Sequence, residues 1–236
     1  MICWGVVPAR GGSKSIKLKN LLPLNGRPLL SYGIEAAKKS GCLQRIICST
    51  DHDLIAAQAI EFGAEHDRRP DRLSGDDVKV DDVVQDLLKR THDSGDKLPD
   101  AVVLIQPTSP FILPNHVVEL IQLLECDQEI RSAHNVISVE HTRHAWNQRT
   151  VDTTGHVRFL FRDERNDARL KQLKPRFMVF GNLIAARTEA LLDGAGFYAE
   201  PCGAIEIDRI FGFDLDGPED VPIAQALIRT YDTDKV

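Results

Sequence analysis

The fold is decided near the start of the chain, by the sequence ICWGVVPARGGSK at residues 2–14. Residues 2–7 are a short apolar run that ends at Pro8, which predicts a buried first strand. A polar loop with two adjacent glycines follows over residues 9–20, and residues 28–39 then have the apolar spacing of a helix. A buried strand, a glycine-containing loop and a helix in this order predict the first unit of an α/β fold.

The same alternation continues through the first half of the chain. Strands are predicted at residues 45–49 and 101–105, and helices at 54–62, at 80–90 and from Pro114 onward. Strands that alternate with helices predict a mostly parallel sheet with helices on both faces, a three-layer sandwich. In such a sheet ligands bind at the carboxyl ends of the strands, so the loops 8–20, 50–53 and 106–114 are the candidate site.

The pattern changes beyond residue 134. Strands are predicted at 134–141, 177–186 and 210–215, and a closing helix at 218–230. The polar stretch between the first two of these strands has weak periodicity, which indicates an excursion from the sheet. We therefore predict a single domain over residues 1–236 with an arm at about 140–176.

Composition excludes several classes of protein. The formal net charge of −6 disfavours a nucleic-acid partner, because that binding depends on phosphate neutralisation. The five cysteines are odd in number and form no CxxC pair, so reduced thiols and a cytoplasmic location are expected. We find no signal peptide and no apolar run of membrane-spanning length, and so expect no membrane partner.

The loop at residues 9–20 concentrates positive charge. Arg10, Lys14, Lys17 and Lys19 lie within ten residues of one another in an acidic chain. Adjacent glycines allow backbone N–H groups to converge on an anion, and with the cations they predict a polyphosphate site. Neither GxGxxG nor GxxxxGK[ST] occurs, so this is neither a dinucleotide fingerprint nor a P-loop. The alternative is a solvated basic surface loop.

Four motifs, in chain order, resemble those of the acylneuraminate cytidylyltransferases. They are PARGGSK at 8–14 with KNL at 19–21 and LNGRPL at 24–29, then STD at 49–51, then Arg69-Pro70 with Leu73 and Asp76, then QPTSP at 106–110. The resemblance implies a Rossmann-like nucleotidyltransferase fold with a small dimerisation arm, and hence a homodimer.

The resemblance also implies roles for individual residues. The nucleotide would be bound by Ala9, Arg10, Gly11, Ser13, Lys14, Lys19, Asn20 and Arg69, with Arg69 at the cytosine. The sugar would be bound by Gln106 and Arg169. The catalytic residues would be Arg10, Lys19 and Asp216.

The family's magnesium ligands resemble Asp214 and Asp216. Carboxylates at i and i+2 of a strand point to one face and can share Mg²⁺, which prefers oxygen ligands. The alternative is structural, because residues 216–219 also have the pattern of a capping box for the closing helix. Asp214 has no such second explanation.

The activity implied is transfer of CMP from CTP to the anomeric hydroxyl of a nonulosonic, sialic-type acid, with release of pyrophosphate. On the strand expected to face the sugar, Gly181 is kept but Phe180 stands where the family has Asn. Two alternatives therefore stay open. One is an enzyme of the same fold that acts on a sugar 1-phosphate or another keto-sugar acid, and the other is an inactive homologue that binds nucleotide or sugar.

Overall fold

The computed structural model describes residues 1–168 and 170–231. Their strands are β1 (Cys3–Pro8), β2 (Pro23–Leu24), β3 (Arg27–Pro28), β4 (Arg45–Thr50), β5 (Glu65–Arg68), β6 (Ala101–Ile105), β7 (Ser132–Ser138), β8 (Arg149–Val151), β9 (Val157–Phe159), β10 (Met178–Arg187) and β11 (Cys202–Glu206). Their α-helices are α1 (Leu29–Ser40), α2 (Asp53–Glu61), α3 (Val80–Asp93), α4 (Pro114–Cys126), α5 (Arg162–Asp167), α6 (Thr188–Leu192) and α7 (Asp220–Thr230).

The main sheet has seven strands in the order β11-β7-β10-β6-β1-β4-β5. Neighbouring strands are parallel except where β10 pairs, because β10 runs antiparallel to both β6 and β7. The predicted α/β class and mostly parallel sheet are confirmed.

Both faces of the sheet are covered by helices. In β1, Cys3 and Val7 lie in one buried cluster with residues of α1, α2 and α4, whereas Trp4 and Val6 lie in a second with residues of α3 and α6. Successive strand residues point to opposite faces, so a fully apolar run is what a doubly covered strand requires. The three-layer arrangement follows directly from this alternation.

A third apolar cluster lies beside the carboxyl edge of the sheet. It brings α7 against the segment at 211–215 and the start of α1. Its buried members are Leu24, Leu29, Tyr32, Phe111, Leu215, Ala224 and Ile228. The cluster matters for the site because burial of Leu215 fixes the acidic residues on either side of it.

The described residues between 140 and 176 lie outside the main sheet. They include the antiparallel hairpin β8–β9 and the short helix α5. Val151 and Val157 on this hairpin are more than half exposed.

One strand prediction is wrong, and two strands of the sheet were missed. The strand expected at 210–215 is wrong, because a 3₁₀ helix occupies Arg209–Gly212 and no strand follows it before α7. Its alternating apolar residues pack into the third cluster instead of a sheet. The strands β5 and β11 were not predicted. β5 is short and polar, and β11, at the opposite edge of the sheet, has only weak alternation of apolar and polar residues. Both are strands because they pair in parallel with a neighbouring strand, not because of an apolar pattern.

Candidate active site

The loop that follows β1 is held by three hydrogen bonds. The Ala9 amide donates to the Ser49 carbonyl at 3.0 Å, and the Gly11 amide donates to Oδ1 of Asp51 at 2.8 Å. The buried Asn20 side chain donates to the Arg10 carbonyl at 3.0 Å. The carboxyl end of β4 and the Asn20 side chain therefore hold the loop's backbone.

Gly11 is required by a close contact rather than by an unusual backbone angle. A Cβ atom there would lie 2.8 Å from the His52 ring. Neither Gly11 nor Gly12 has positive φ, so the conformational freedom expected of this pair is not what the loop uses. The Ser13 amide donates to the Gly11 carbonyl at 3.1 Å, which tightens the turn.

Two of the loop's cations converge on one carboxylate. Arg10 lies 2.7 Å from Oδ1 of Asp76, and Nζ of Lys14 lies 2.6 Å from Oδ2 of the same side chain. Arg10 also donates to the Gly75 carbonyl at 3.1 Å. The hydrogen bond from Lys14, with the charge of Arg10, holds the pKa of Asp76 below its usual value. An anion thus already lies between the two cations assigned to phosphate.

Lys19 joins the loop to the acidic segment before α7. Its ammonium donates to the Leu215 carbonyl at 2.9 Å and lies 3.7 Å from Oδ1 of Asp216. The preceding residue, Leu18, has φ 51° and ψ 43°, a left-handed conformation that costs a residue with a Cβ about 1–2 kcal/mol. Strain of this kind is common at functional sites.

Arg69 is buried directly after β5. Its guanidinium donates to the Ser49 carbonyl at 2.7 Å, and its amide donates to the Thr50 carbonyl at 3.0 Å. Burial lowers its pKa from the ordinary arginine value, although the nearby carboxylate of Asp51 acts in the opposite direction. A buried, oriented guanidinium at the sheet edge is suited to recognise a flat polar group.

The two candidate metal ligands differ in environment. Asp214 is half-buried and accepts a hydrogen bond of 2.9 Å from the Ser109 hydroxyl, whereas the Asp216 side chain is 85% exposed. Among the described residues, no group of three or more His, Cys, Asp or Glu side chains is placed to hold a metal. Two carboxylates still fit Mg²⁺, because that ion takes few protein ligands and completes its shell with phosphate oxygens and water.

The local explanations offered for these residues need correction. Asp214 and Asp216 do not share a strand face, since the segment is unpaired. The capping box is also not formed: α7 begins at Asp220, and its N-cap residue Glu219 makes no side-chain capping bond. Instead, the Asp220 carboxylate accepts from the amides of Asp216 and Gly217, each at 2.9 Å.

The residues that were expected to face the sugar lie where β6 ends and where β10 changes register. Gln106 follows β6 and is half-buried. In β10 the register of pairing with β7 shifts between Phe180 and Ile184. The ring centroids of Phe180 and His134 lie 6.1 Å apart at this shift. Arg169, the predicted sugar ligand, lies outside the described residues.

A buried amide fills the register shift in β10. Oδ1 of Asn135 accepts from the amides of Asn182 and Leu183, and its Nδ2 donates to Oδ1 of Asn182, all at 2.8 Å. A Cβ atom on Gly181 would lie 2.6 Å from Oδ1 of Asn135, so this position excludes a side chain. A side chain at position 181 would therefore displace Asn135.

Comparison with known proteins identifies the family. A family model described as cytidylyltransferase matches residues 4–168, which include the loop at 9–20, Arg69 and Gln106. The chain belongs to the cytidylyltransferase family. The predicted family and the predicted nucleotidyltransferase class are confirmed.

Curated relatives of this cytidylyltransferase are moderately similar, and the chain spans half or less of the length of two of the three described here. A protein of Legionella pneumophila named CMP-N,N'-diacetyllegionaminic acid synthase is 30% identical over 232 residues, which cover 94% of each chain. The N-acylneuraminate cytidylyltransferase of Escherichia coli is 35% identical over 120 residues, 51% of this chain and 27% of that protein. A Streptococcus agalactiae enzyme of the same name is 28% identical over 91% of this chain and 50% of its own length.

Solved structures share the fold at low sequence identity. CMP:2-keto-3-deoxy-manno-octonic acid synthetase, solved in complex with CTP, superposes with a TM-score of 0.76 at 18% identity, covering 98% of this chain and 99% of that one. The 4-diphosphocytidyl-2C-methyl-D-erythritol synthase of Anaerococcus prevotii superposes with a TM-score of 0.64 at 12% identity, covering 97% of this chain and 98% of that one.

Within residues 1–168 and 170–231, none of the helices has the length and apolar character that a membrane span requires.

Several residues that organise the cytidylyltransferase site had no role in the sequence prediction. Asp51, Asp76 and Ser109 appear in the quoted motifs only as motif letters, and Asn135 was assigned nothing. No local pattern reveals these roles, because each depends on a partner distant in the chain.

Proposed function

We propose that this cytidylyltransferase transfers CMP from CTP to the anomeric hydroxyl of a nonulosonic acid and releases pyrophosphate. The observation that carries the proposal is that one loop at the carboxyl edge of the sheet directs Arg10 and Lys14 to a single carboxylate and places Lys19 3.7 Å from Asp216, two residues from Asp214. The name of the Legionella pneumophila relative, which matches 94% of this chain, supports a nonulosonic acid as acceptor.

The reaction is a displacement at phosphorus. The anomeric oxygen forms a bond to the α-phosphorus while the bond from that phosphorus to the pyrophosphate oxygen breaks. Arg10 and Lys19 neutralise the charge that accumulates on the phosphate oxygens, and the exposed Asp216 carboxylate accepts the hydroxyl proton. Catalysis then rests mainly on positioning and charge neutralisation.

We propose Mg²⁺ as the cofactor, held by Asp214 and Asp216 with phosphate oxygens. When bound, the ion would neutralise phosphate charge and polarise the phosphoryl group. Asp214 is the better-positioned ligand because its carboxylate is already oriented by Ser109.

The base and the sugar are assigned to opposite sides of the phosphate loop. Arg69 would contact cytosine, since its buried guanidinium is fixed against the end of β4. Gln106, at the end of β6, and Arg169 would contact the sugar acid. A guanidinium is the preferred partner of a carboxylate because it can form two parallel hydrogen bonds.

We further propose a cytoplasmic homodimer. The described part of the arm at 140–176 carries five large apolar side chains that are each more than half exposed: Val151, Val157, Leu160, Leu170 and Leu173. Covering such a surface with a second copy would remove it from water. None of the five cysteines forms a disulfide, as is expected of a protein in a reducing compartment.

The test is pyrophosphate release with Mg²⁺, CTP and a panel of acceptors. The panel contains neuraminic, legionaminic and pseudaminic acids, an eight-carbon keto-acid and several sugar 1-phosphates, with ATP, GTP and UTP as alternative donors. Release with CTP and a nonulosonic acid is expected. Release only with a sugar 1-phosphate or another nucleotide would replace the proposed acceptor or donor.

The inactive-homologue alternative is tested by Asp214→Ala. An enzyme should lose at least about a hundredfold in turnover, by loss of a ligand that positions charge at the reacting phosphate. CTP binding in EDTA should change little, which separates lost catalysis from lost folding. A wild-type chain that is silent across the whole panel would favour the binding-module alternative.

A further inference from the structure

Asp76 occupies the position between the two cations that a polyphosphate requires. Its two carboxylate oxygens are divided between them, Oδ1 with Arg10 at 2.7 Å and Oδ2 with Lys14 at 2.6 Å. Opposed cations with an anion between them are the arrangement expected around a phosphate group. A protein carboxylate takes that place here.

The segment that carries Asp76 is attached to the loop mainly by these contacts. Asp76 lies in a turn between the 3₁₀ helix Asp71–Leu73 and α3, and its neighbour Gly75 is exposed. The only other described hydrogen bond from the phosphate loop to this turn is that from Arg10 to the Gly75 carbonyl. Separation of the carboxylate from its cations therefore breaks few bonds.

The ion pairs are accessible to solvent and can be exchanged. The side chains of Arg10, Lys14 and Asp76 are 33%, 78% and 38% exposed. Partly exposed pairs contribute little to stability, so a ligand of higher charge can replace one partner at small cost. The hydrogen bond from Lys14 and the charge of Arg10 lower the pKa of Asp76, so its carboxylate is an anion at neutral pH.

We propose that Asp76 is a displaceable counter-ion, which neutralises Arg10 and Lys14 in the nucleotide-free protein and is expelled when a polyphosphate binds. The proposal rests on the proposed function only in requiring that this loop binds phosphate. It assigns to Asp76 an effect opposite to that of a positioning residue, because the carboxylate competes with the ligand for the same two cations.

The test is binding of inorganic pyrophosphate and of CTP to the full chain by calorimetry in EDTA, for wild type, Asp76→Asn and Asp77→Asn. Asp77 is the matched control, since it is an exposed carboxylate in the same turn with no ion pair among the described residues. Asp76→Asn should bind both ligands about fivefold more tightly, because two exposed ion pairs no longer have to be broken. The affinities of Asp77→Asn for both ligands should stay within about twofold of the wild-type values, because this variant removes only one nearby charge.

Weaker or unchanged binding by Asp76→Asn, with the fold intact by circular dichroism, would overturn the proposal. Asp76→Ser provides a second variant that removes the charge with a smaller side chain and should also bind more tightly. The affinity for pyrophosphate does not depend on the acceptor sugar or on the nucleobase, because pyrophosphate contains neither. A gain in pyrophosphate affinity without any turnover of CTP would leave the counter-ion role standing while the proposed function fails.

Discussion

Ser109 and Asp214 are joined by a hydrogen bond although 105 residues separate them: Oγ of Ser109 donates to Oδ1 of Asp214 at 2.9 Å. The adjacent Leu215 amide donates to the Thr108 carbonyl, also at 2.9 Å. The turn after β6 thus orients the acidic segment before α7. Because Ser109 is almost fully buried, water cannot replace its hydroxyl in this role.

Ser109→Ala should impair magnesium use more than folding. Loss of a group that orients a metal ligand typically costs tenfold or more in metal affinity, so the Mg²⁺ concentration for half-maximal activity should rise about tenfold. Titration of activity with Mg²⁺ measures this. Ser132→Ala is the matched control, since that buried hydroxyl donates to the Ala199 carbonyl instead. Equal Mg²⁺ dependence in both variants would refute the role given to Ser109.

Arg69→Lys should raise the KM for CTP by about tenfold with a smaller effect on kcat. An ammonium cannot both donate to the Ser49 carbonyl and present a planar fork to the base. Steady-state kinetics with CTP and with UTP would measure the change in KM and any loss of discrimination between the two nucleotides. Arg72→Lys, the same substitution on an exposed neighbour, should leave both parameters nearly unchanged. An unaltered KM in Arg69→Lys would remove Arg69 from the nucleotide site.

Asn135→Ala should destabilise the protein by about 3 kcal/mol. It removes one side chain that satisfies two backbone amides and the Asn182 amide oxygen, all in a buried setting. Urea unfolding would measure the loss in the free energy of unfolding. Asn115→Ala, at an exposed position in α4, should change it by less than about 0.5 kcal/mol. Similar values for the two variants would mean that the register shift does not depend on Asn135.

Stability should fall above pH 9 through Cys48. Burial raises the pKa of its thiol from 9.0 to about 12, so between these values the unfolded chain loses a proton that the folded chain keeps. The folded state then binds more protons, and stability decreases as pH rises. Cys48→Ala should therefore lower the free energy of unfolding by about 1 kcal/mol less at pH 10 than at pH 7.

Urea unfolding at the two pH values would test this prediction. Cys126→Ala serves as the control, because that thiol is exposed and its substitution should have the same effect at both pH values. A penalty for Cys48→Ala that is independent of pH would contradict the prediction.

The sequence alone was informative wherever a residue's role depends on its neighbours in the chain. The apolar runs at 2–7 and 101–105 predicted buried strands of the sheet, because a strand covered on both faces must be apolar throughout. The basic glycine loop and the four ordered motifs predicted the cytidylyltransferase family, and the family model confirms it.

Prediction failed where local pattern and tertiary packing favour different structures. The alternating apolar residues of 210–215 resemble a strand, but they pack in the third cluster with α7 and form no strand pairing. The polar segment at 65–68 has no apolar signal, yet it pairs with β4 along its whole length. Strand pairing is non-local, so its partner cannot be read from either segment alone.

The sequence by itself determined the class of fold, the family and the kinds of side chain at the site. Only the tertiary structure decided which of them meet: Asp76 with Arg10 and Lys14, and Ser109 with Asp214. The physical reason is that hydrogen bonds and ion pairs depend on distances of about 3 Å. Such distances between residues far apart in the chain exist only once the sheet and its three apolar clusters have formed.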